Sequence, residues 1–146
     1  MWRKVTESDL TAALSQSEIE AFRRSATFEA DPVHGGIRQV CSLVRGCIRT
    51  GGARVRMSRD EEALPESLIQ PAMDYLRHNI LTRMNVEVNA SRTKAYENAC
   101  ELFRKLAAGE FVPESDTENP EPAADDPGDR ALSPAAASAE PARLLD

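Results

Sequence analysis

Three cysteines, two histidines and the carboxylate pair Glu61-Glu62 are the residues of this 146-residue chain whose types could support metal binding, nucleophilic attack or acid–base chemistry. Their spacing argues against each. His34 stands beside Gly35-Gly36 and His78 on a predicted fourth helix, and neither has a second ligand at the short spacing that a zinc site uses. Cys41, Cys47 and Cys100 are odd in number and form no C-x-x-C pair. Cys41 falls on an apolar helical stripe and Cys100 on the face of the last helix, which suits small buried thiols. Cys47 lies off the stripe's centre between Arg45 and Arg49, a setting that would permit a depressed thiol pKa without requiring one. Glu61-Glu62 has no visible base or metal partner, and no P-loop, nucleotide-binding glycine pattern or nucleophile elbow occurs. The expectation is a non-enzymatic protein with no cofactor and no metal.

One cluster is distinctive. Between Pro32 and Arg59 stand six arginines, Arg38, Arg45, Arg49, Arg54, Arg56 and Arg59, with no acid among them and with Asp60, Glu61 and Glu62 directly after. At 100° per residue Arg38, Arg45 and Arg49 align on the flank of a helix, and the other three carry the patch into the following loop. The plain reading is a solvated flank paired with acids elsewhere, such as Glu97 or Glu101. The functional reading is a surface for an acidic partner: DNA, the chain's own acidic tail, or the acidic face of a neighbouring subunit. Arginine without lysine favours partners read by bidentate geometry. No aromatic residue stands among these arginines, so a stacking platform for single strands is not expected.

The elements that must position this cluster read as an all-α protein, a small bundle of about five helices. Thr6 with Asp9 is a relative of the capping box and opens a short helix through Leu14. Ser15 or Ser17 caps a second, with Ile19, Phe22 and Ala26 at helical spacing. Asp31-Pro32 opens the third, weakened by Gly35-Gly36, along which Ile37, Val40, Cys41, Val44 and Ile48 form one narrow stripe. Gly51-Gly52 ends it, and residues 53–64 read as a long loop with a short extended piece near 53–57. Pro65 starts the fourth helix, with Leu68, Ala72, Leu76 and Ile80 as its ladder. Pro71 within it predicts either a kink or a true start near Gln70. Ser91 caps the fifth, in which Tyr96, Ala99, Cys100, Phe103 and Ala107 share a face and Gly109 closes the end.

Charge divides the chain at Val112. Residues 1–112 hold 16 Lys+Arg against 15 Asp+Glu, whereas 113–146 hold 2 against 9, so the net charge of −6 resides in the C-terminal stretch. A near-neutral body argues against a dedicated nucleic-acid protein. Residues 113–146 include six prolines and no aromatic residue. Such a segment buries too little apolar area to offset an ordering cost of about 1–2 kcal/mol per residue. The expected division is therefore a helical domain over 1–112 and a disordered Pro/Ala/acid-rich tail over 113–146, whose closing Arg143-Leu144-Leu145 is either a docking peptide or an incidental apolar run. The start of the chain lacks the apolar region of a signal peptide, and no apolar run approaches the ~18 residues of a membrane span. Cytoplasmic assembly without membrane contact is expected.

A short helix after Thr6, a helical pair, a loop, then LPESLIQPAMDYLRHNIL and a last helix ending in AYENACELFRKLAAGEFVP make a pattern that resembles the head–tail connector proteins of long-tailed phages, also called adaptor or head-completion proteins, most of all their Mu-like prophage branch. The residues that carry the resemblance are Leu64-Pro65, Asp74-Tyr75-Leu76-Arg77, Leu106-Ala107-Ala108-Gly109 and Pro113. It covers roughly residues 5–113. The stretch EADPVHGGIRQ and the long acidic tail depart from the pattern. The resemblance implies a structural virion protein of the neck. It would dock on the portal protein, form a homo-oligomeric ring of about twelve copies around the DNA channel, and join the head to a tail-side neck protein. DNA would pass through without sequence-specific binding. By position, the loop ARVRMSRDEE would line the channel or bridge subunits, some arginines pairing with Asp60, Glu61 or Glu62 of an adjacent copy. Two other readings stand beside it: a small helical DNA-binding packaging or regulatory factor using the 38–59 arginines, and an assembly-chaperone module whose acidic tail masks a basic surface.

Overall fold

The computed structural model describes residues 1–25, 31–52 and 55–122. The described residues are mostly helical, with five helices and one small sheet. In order these are strand β1 (Trp2–Lys4), helices α1 (Glu7–Thr11), α2 (Gln16–Ser25) and α3 (Pro32–Thr50), strand β2 (Ala63–Pro65), and helices α4 (Glu66–Arg83) and α5 (Ala90–Ala108).

Local capping explains most helix starts. The Thr6 amide donates to Asp9 Oδ2 at 2.9 Å, which opens α1. Ser15 rather than Ser17 caps α2: the Glu18 amide donates to Ser15 Oγ at 3.2 Å and the Ser15 amide to Glu18 Oε1 at 2.9 Å. Asp31 Oδ1 accepts from the amides of Val33 and His34, and Pro32 takes the first helical position of α3. The start of α5 lies earlier than Ser91. Asn89 is the cap, its Oδ1 accepting from the Arg92 amide at 2.8 Å. Pro71 neither delays nor ends α4, which runs unbroken from Glu66. The carbonyl that Pro71 leaves without a helical donor belongs to Ser67, an exposed residue that water can serve.

The stripe Ile37, Val40, Cys41, Val44 and Ile48 is buried along its length, with α4 and α5 packed on α3. Gly36 lets the first turns of α3 approach α4 closely, since a Cβ there would stand 2.9 Å from Leu76 Cδ1. Ala26 lies outside the described residues.

Two features depart from the expected architecture. Residues 63–65, expected as the end of the loop and the first residue of the fourth helix, form a strand paired antiparallel with β1 in the register Trp2↔Pro65, Arg3↔Leu64, Lys4↔Ala63, and α4 begins at Glu66. Two three-residue strands are too short to show an alternating pattern, and their pairing is non-local. The second departure is the domain boundary. Residues 113–122 do not leave the body at Val112; they form a strap across the loop that precedes β2. The Asp116 amide donates to the Arg56 carbonyl at 2.7 Å, the Arg59 amide to the Asn119 carbonyl at 2.9 Å, and the Glu121 amide to the Met57 carbonyl at 2.7 Å. Asp116, almost fully buried, holds the strap's own turn by accepting from the amides of Glu118 and Asn119. Backbone hydrogen bonds order this segment instead of apolar burial, so its composition concealed it. The rest of the expected tail, 123–146, lies outside the described residues.

Candidate functional site: the arginine groove beside helix α3

The five described arginines of the cluster meet three different fates. Arg45 is a structural residue. It is 2% exposed, and its guanidinium donates to the carbonyls of Asp60 (3.0 Å), Ala63 (3.3 Å) and Ser58 (2.8 Å) while Glu121 supplies a carboxylate at 3.3 Å. The alignment with Arg38 and Arg49 holds, but Arg45 turns inward to knit the loop before β2. Burial lowers its pKa, which the Glu121 carboxylate opposes. It is unavailable to a partner.

Arg38 and Arg49 remain at the surface, their side chains 66% and 55% exposed. Each has one loose ionic neighbour within the chain, Glu62 at 3.8 Å and Glu121 at 3.7 Å. Arg56 and Arg59 are exposed, and both take part in strap binding: the Arg56 amide donates to Ser115 Oγ at 3.0 Å, and Arg59 Nε to the Pro120 carbonyl at 2.9 Å. Arg54 lies outside the described residues.

The three acids that follow also separate. Glu62 is a hub, with His34 Nε2 at 3.1 Å, Lys4 Nζ at 3.4 Å and Arg38 Nε at 3.8 Å. The His34 hydrogen bond, and then that of Lys4, hold its carboxyl below the usual carboxylate range. Asp60 pairs with Lys4 and receives the Glu62 amide on Oδ1. Glu61 is exposed, with no hydrogen bond or ion pair among the described residues. Glu97 and Glu101 do not neutralise the α3 arginines; Glu101 pairs with Arg104 on its own helix.

Together these residues shape an open groove of about 510 Å³ lined by Gly35, Arg38, Gln39, Ser42, Arg45, Arg49, Glu61 and Glu62. Lys4 and Glu121, which balance its charges, were missed from the sequence. One lies on an unforeseen strand and the other on the strap, so neither had a local signal.

The other chemical candidates resolve into packing. The Cys41 thiol contacts the Glu62 carbonyl, and burial pushes its pKa up to about 12. Cys47 is raised by burial too, opposite to what a reactive thiol needs. The His78 ring stacks on Tyr96 with centroids 3.7 Å apart, in a ladder continued by Tyr75 and Phe103 between α4 and α5. Among the described residues no three His, Cys, Asp or Glu side chains cluster as metal ligands, and no helix is long and apolar enough to cross a membrane. No protein-family model, curated protein or solved structure matches the chain.

Proposed function

We propose that this chain is a structural subunit of a phage-type neck, a head–tail connector that docks on a portal, surrounds the DNA channel as a ring and receives the tail-side neck protein. One observation carries the reading: the residues behind the resemblance are the joints of this fold. Leu64 and Pro65 close the sheet with β1 and lead into α4. Arg77 pairs with Asp74 at 3.3 Å and donates to the Ala13 carbonyl at 3.2 Å, fastening α4 to the turn after α1. Gly109 ends α5 in a left-handed conformation directly against Gly51 at the end of α3. Pro113 is buried where the strap begins.

The charged edge suits a ring subunit. Contacts repeated around a ring can each be weak, and mixed charges fix register without an oily surface. Asp60 and Glu62 already have partners within the chain, so Glu61 is the carboxylate best placed to meet an arginine of a neighbouring copy.

Particles assembled without the chain are expected to retain DNA poorly or to fail at tail joining, and the purified chain is expected to bind portal rings. Tailed, DNA-filled particles formed in its absence would overturn the reading.

A further inference from the structure

We propose that a second groove, between α3 and α4, is the docking site of this chain's own Leu144-Leu145, a pair that lies outside the described residues. The proposal stands apart from the connector reading and draws on no partner of that assembly.

This groove is open, about 320 Å³, and follows the seam where α2, α3 and α4 meet. Its floor is apolar, made by Phe22, Val40, Leu76 and Ile80, which belong to the buried core. Leu43 forms its lip. It is 39% exposed, on the helix whose other large apolar residues are buried. An apolar floor with an exposed leucine beside it is a surface on which further apolar side chains gain by leaving water. At the rim stand Gln39 and Asn79, both exposed and, among the described residues, without a side-chain hydrogen bond. Amides offer both donors and acceptors, so they can serve the N–H and C=O groups of a docked peptide backbone that would otherwise lose their water. The chemistry of the groove is that of a peptide site.

Composition, charge and reach select the occupant. Leu132, Leu144 and Leu145 are the large apolar residues of 123–146, and the last two are adjacent. Arg83, with its guanidinium 5.3 Å from the Phe22 ring centroid, brings a cation to the groove, and no acid is among the lining residues. Residues 123–146 hold five acids against two arginines, and Glu140 and Asp146 bracket the leucine pair. The strap ends with the Glu121 carboxylate 3.7 Å from Arg49, on the arginine flank of α3. Gln39 lines both the arginine groove and the apolar one, so the two are neighbours on that helix. Leu43 lies about 9 Å before Arg49 along the axis, and a helix with its side chains is about 10–12 Å across. A flexible chain from residue 122 to 143 spans about 25 Å on average, which matches this path without strain. A tether of matched length holds its end at an effective concentration of about millimolar. A contact too weak to join separate molecules is therefore made within one, which favours the chain's own leucines over those of a second copy. So weak a contact changes the melting temperature little.

The test is fluorescence anisotropy of a labelled peptide of residues 138–146, capped at both ends, titrated with full-length protein. Wild type should bind it weakly, because its own leucine pair fills the groove. L144S/L145S empties the groove and should raise affinity for the peptide about fivefold or more. Adding L43E to that double variant should abolish the gain, and adding R83Q should lower affinity about threefold through the lost charge. Q39E sets an acid against the acidic peptide at an exposed site, and it replaces L43E if that variant loses its helical circular dichroism. Three results would overturn the proposal: no peptide binding by L144S/L145S, equal affinity in L144S/L145S and wild type, or an affinity that neither L43E nor Q39E changes. Dimerisation of wild type in sedimentation that L144S/L145S removes would assign the leucine pair to a second copy and overturn it as well. Portal binding and particle assembly are separate measurements, so failure of the connector reading leaves this result standing.

Discussion

Arg45 on α3 donates a hydrogen bond to the carbonyl of Ser58 at 2.8 Å, and through it an arginine of the core helix holds the loop against which the C-terminal strap lies. Replacing Arg45 by Met removes one cation, strands the carbonyls of Ser58 and Ala63, and leaves the Asp60 carbonyl with the Ala63 amide alone. A loss of about 3–5 kcal/mol is expected, the range for breaking a buried, hydrogen-bonded charge network. Arg45→Lys keeps the charge but not the fork, and should recover less than half of that loss. Urea unfolding of the three proteins decides it.

The ends of α3 and α5 meet backbone to backbone. A Cβ on Gly51 would stand 2.2 Å from the Leu106 carbonyl oxygen, while one on Gly46, two turns earlier at most, meets nothing within 4 Å. Gly51→Ala is therefore expected to cost several kcal/mol or to prevent folding. Gly46→Ala should stabilise by about 0.5–1 kcal/mol through helix propensity. Equal melting temperatures for the two variants would refute this account of the joint.

Glu18 joins two elements, closing the α2 cap with Ser15 and pairing with Arg92 of α5 at 2.8 Å. The Arg92 hydrogen bond is the main reason its carboxyl falls from an ordinary 4.5 to about 2. A carboxyl depressed on folding contributes stability that is complete above pH 4.5 and lost as pH falls towards 2. Glu18→Gln should cost about 1–2 kcal/mol at pH 7, after allowance for solvent screening of a partly exposed pair, and almost nothing at pH 2. Denaturation curves at the two pH values give the comparison.

The strap separates two truncations. A chain ending at residue 112 loses the Glu114 carbonyl that accepts from Trp2 Nε1 at 2.6 Å, the Glu121 carboxylate beside Arg45, and the backbone bonds to 56–59. It is expected to melt well below the full chain, with altered Trp2 fluorescence. A chain ending at residue 122 keeps all of these and should melt close to the full-length protein.

Much of this was legible in the residues themselves. The five helices, the buried stripe from Ile37 to Ile48 and the caps at Thr6, Ser15 and Asp31 all follow from local pattern, because helical periodicity and capping are decided within a few residues. So was the arginine cluster as a group. Which of its members faces outward was not. Arg45 lies near Arg38 and Arg49 in helical phase, and only the distant carbonyls of 58–63 and the strap draw it inside. The β1–β2 pair and the strap depend on hydrogen bonds between backbones some sixty residues apart, and backbone donors leave no signature in residue type. Sequence alone therefore determined the helices and the stock of charges. Tertiary structure decided which charges are spent on holding the fold and which, at Arg38, Arg49 and Glu61, stay exposed at the surface.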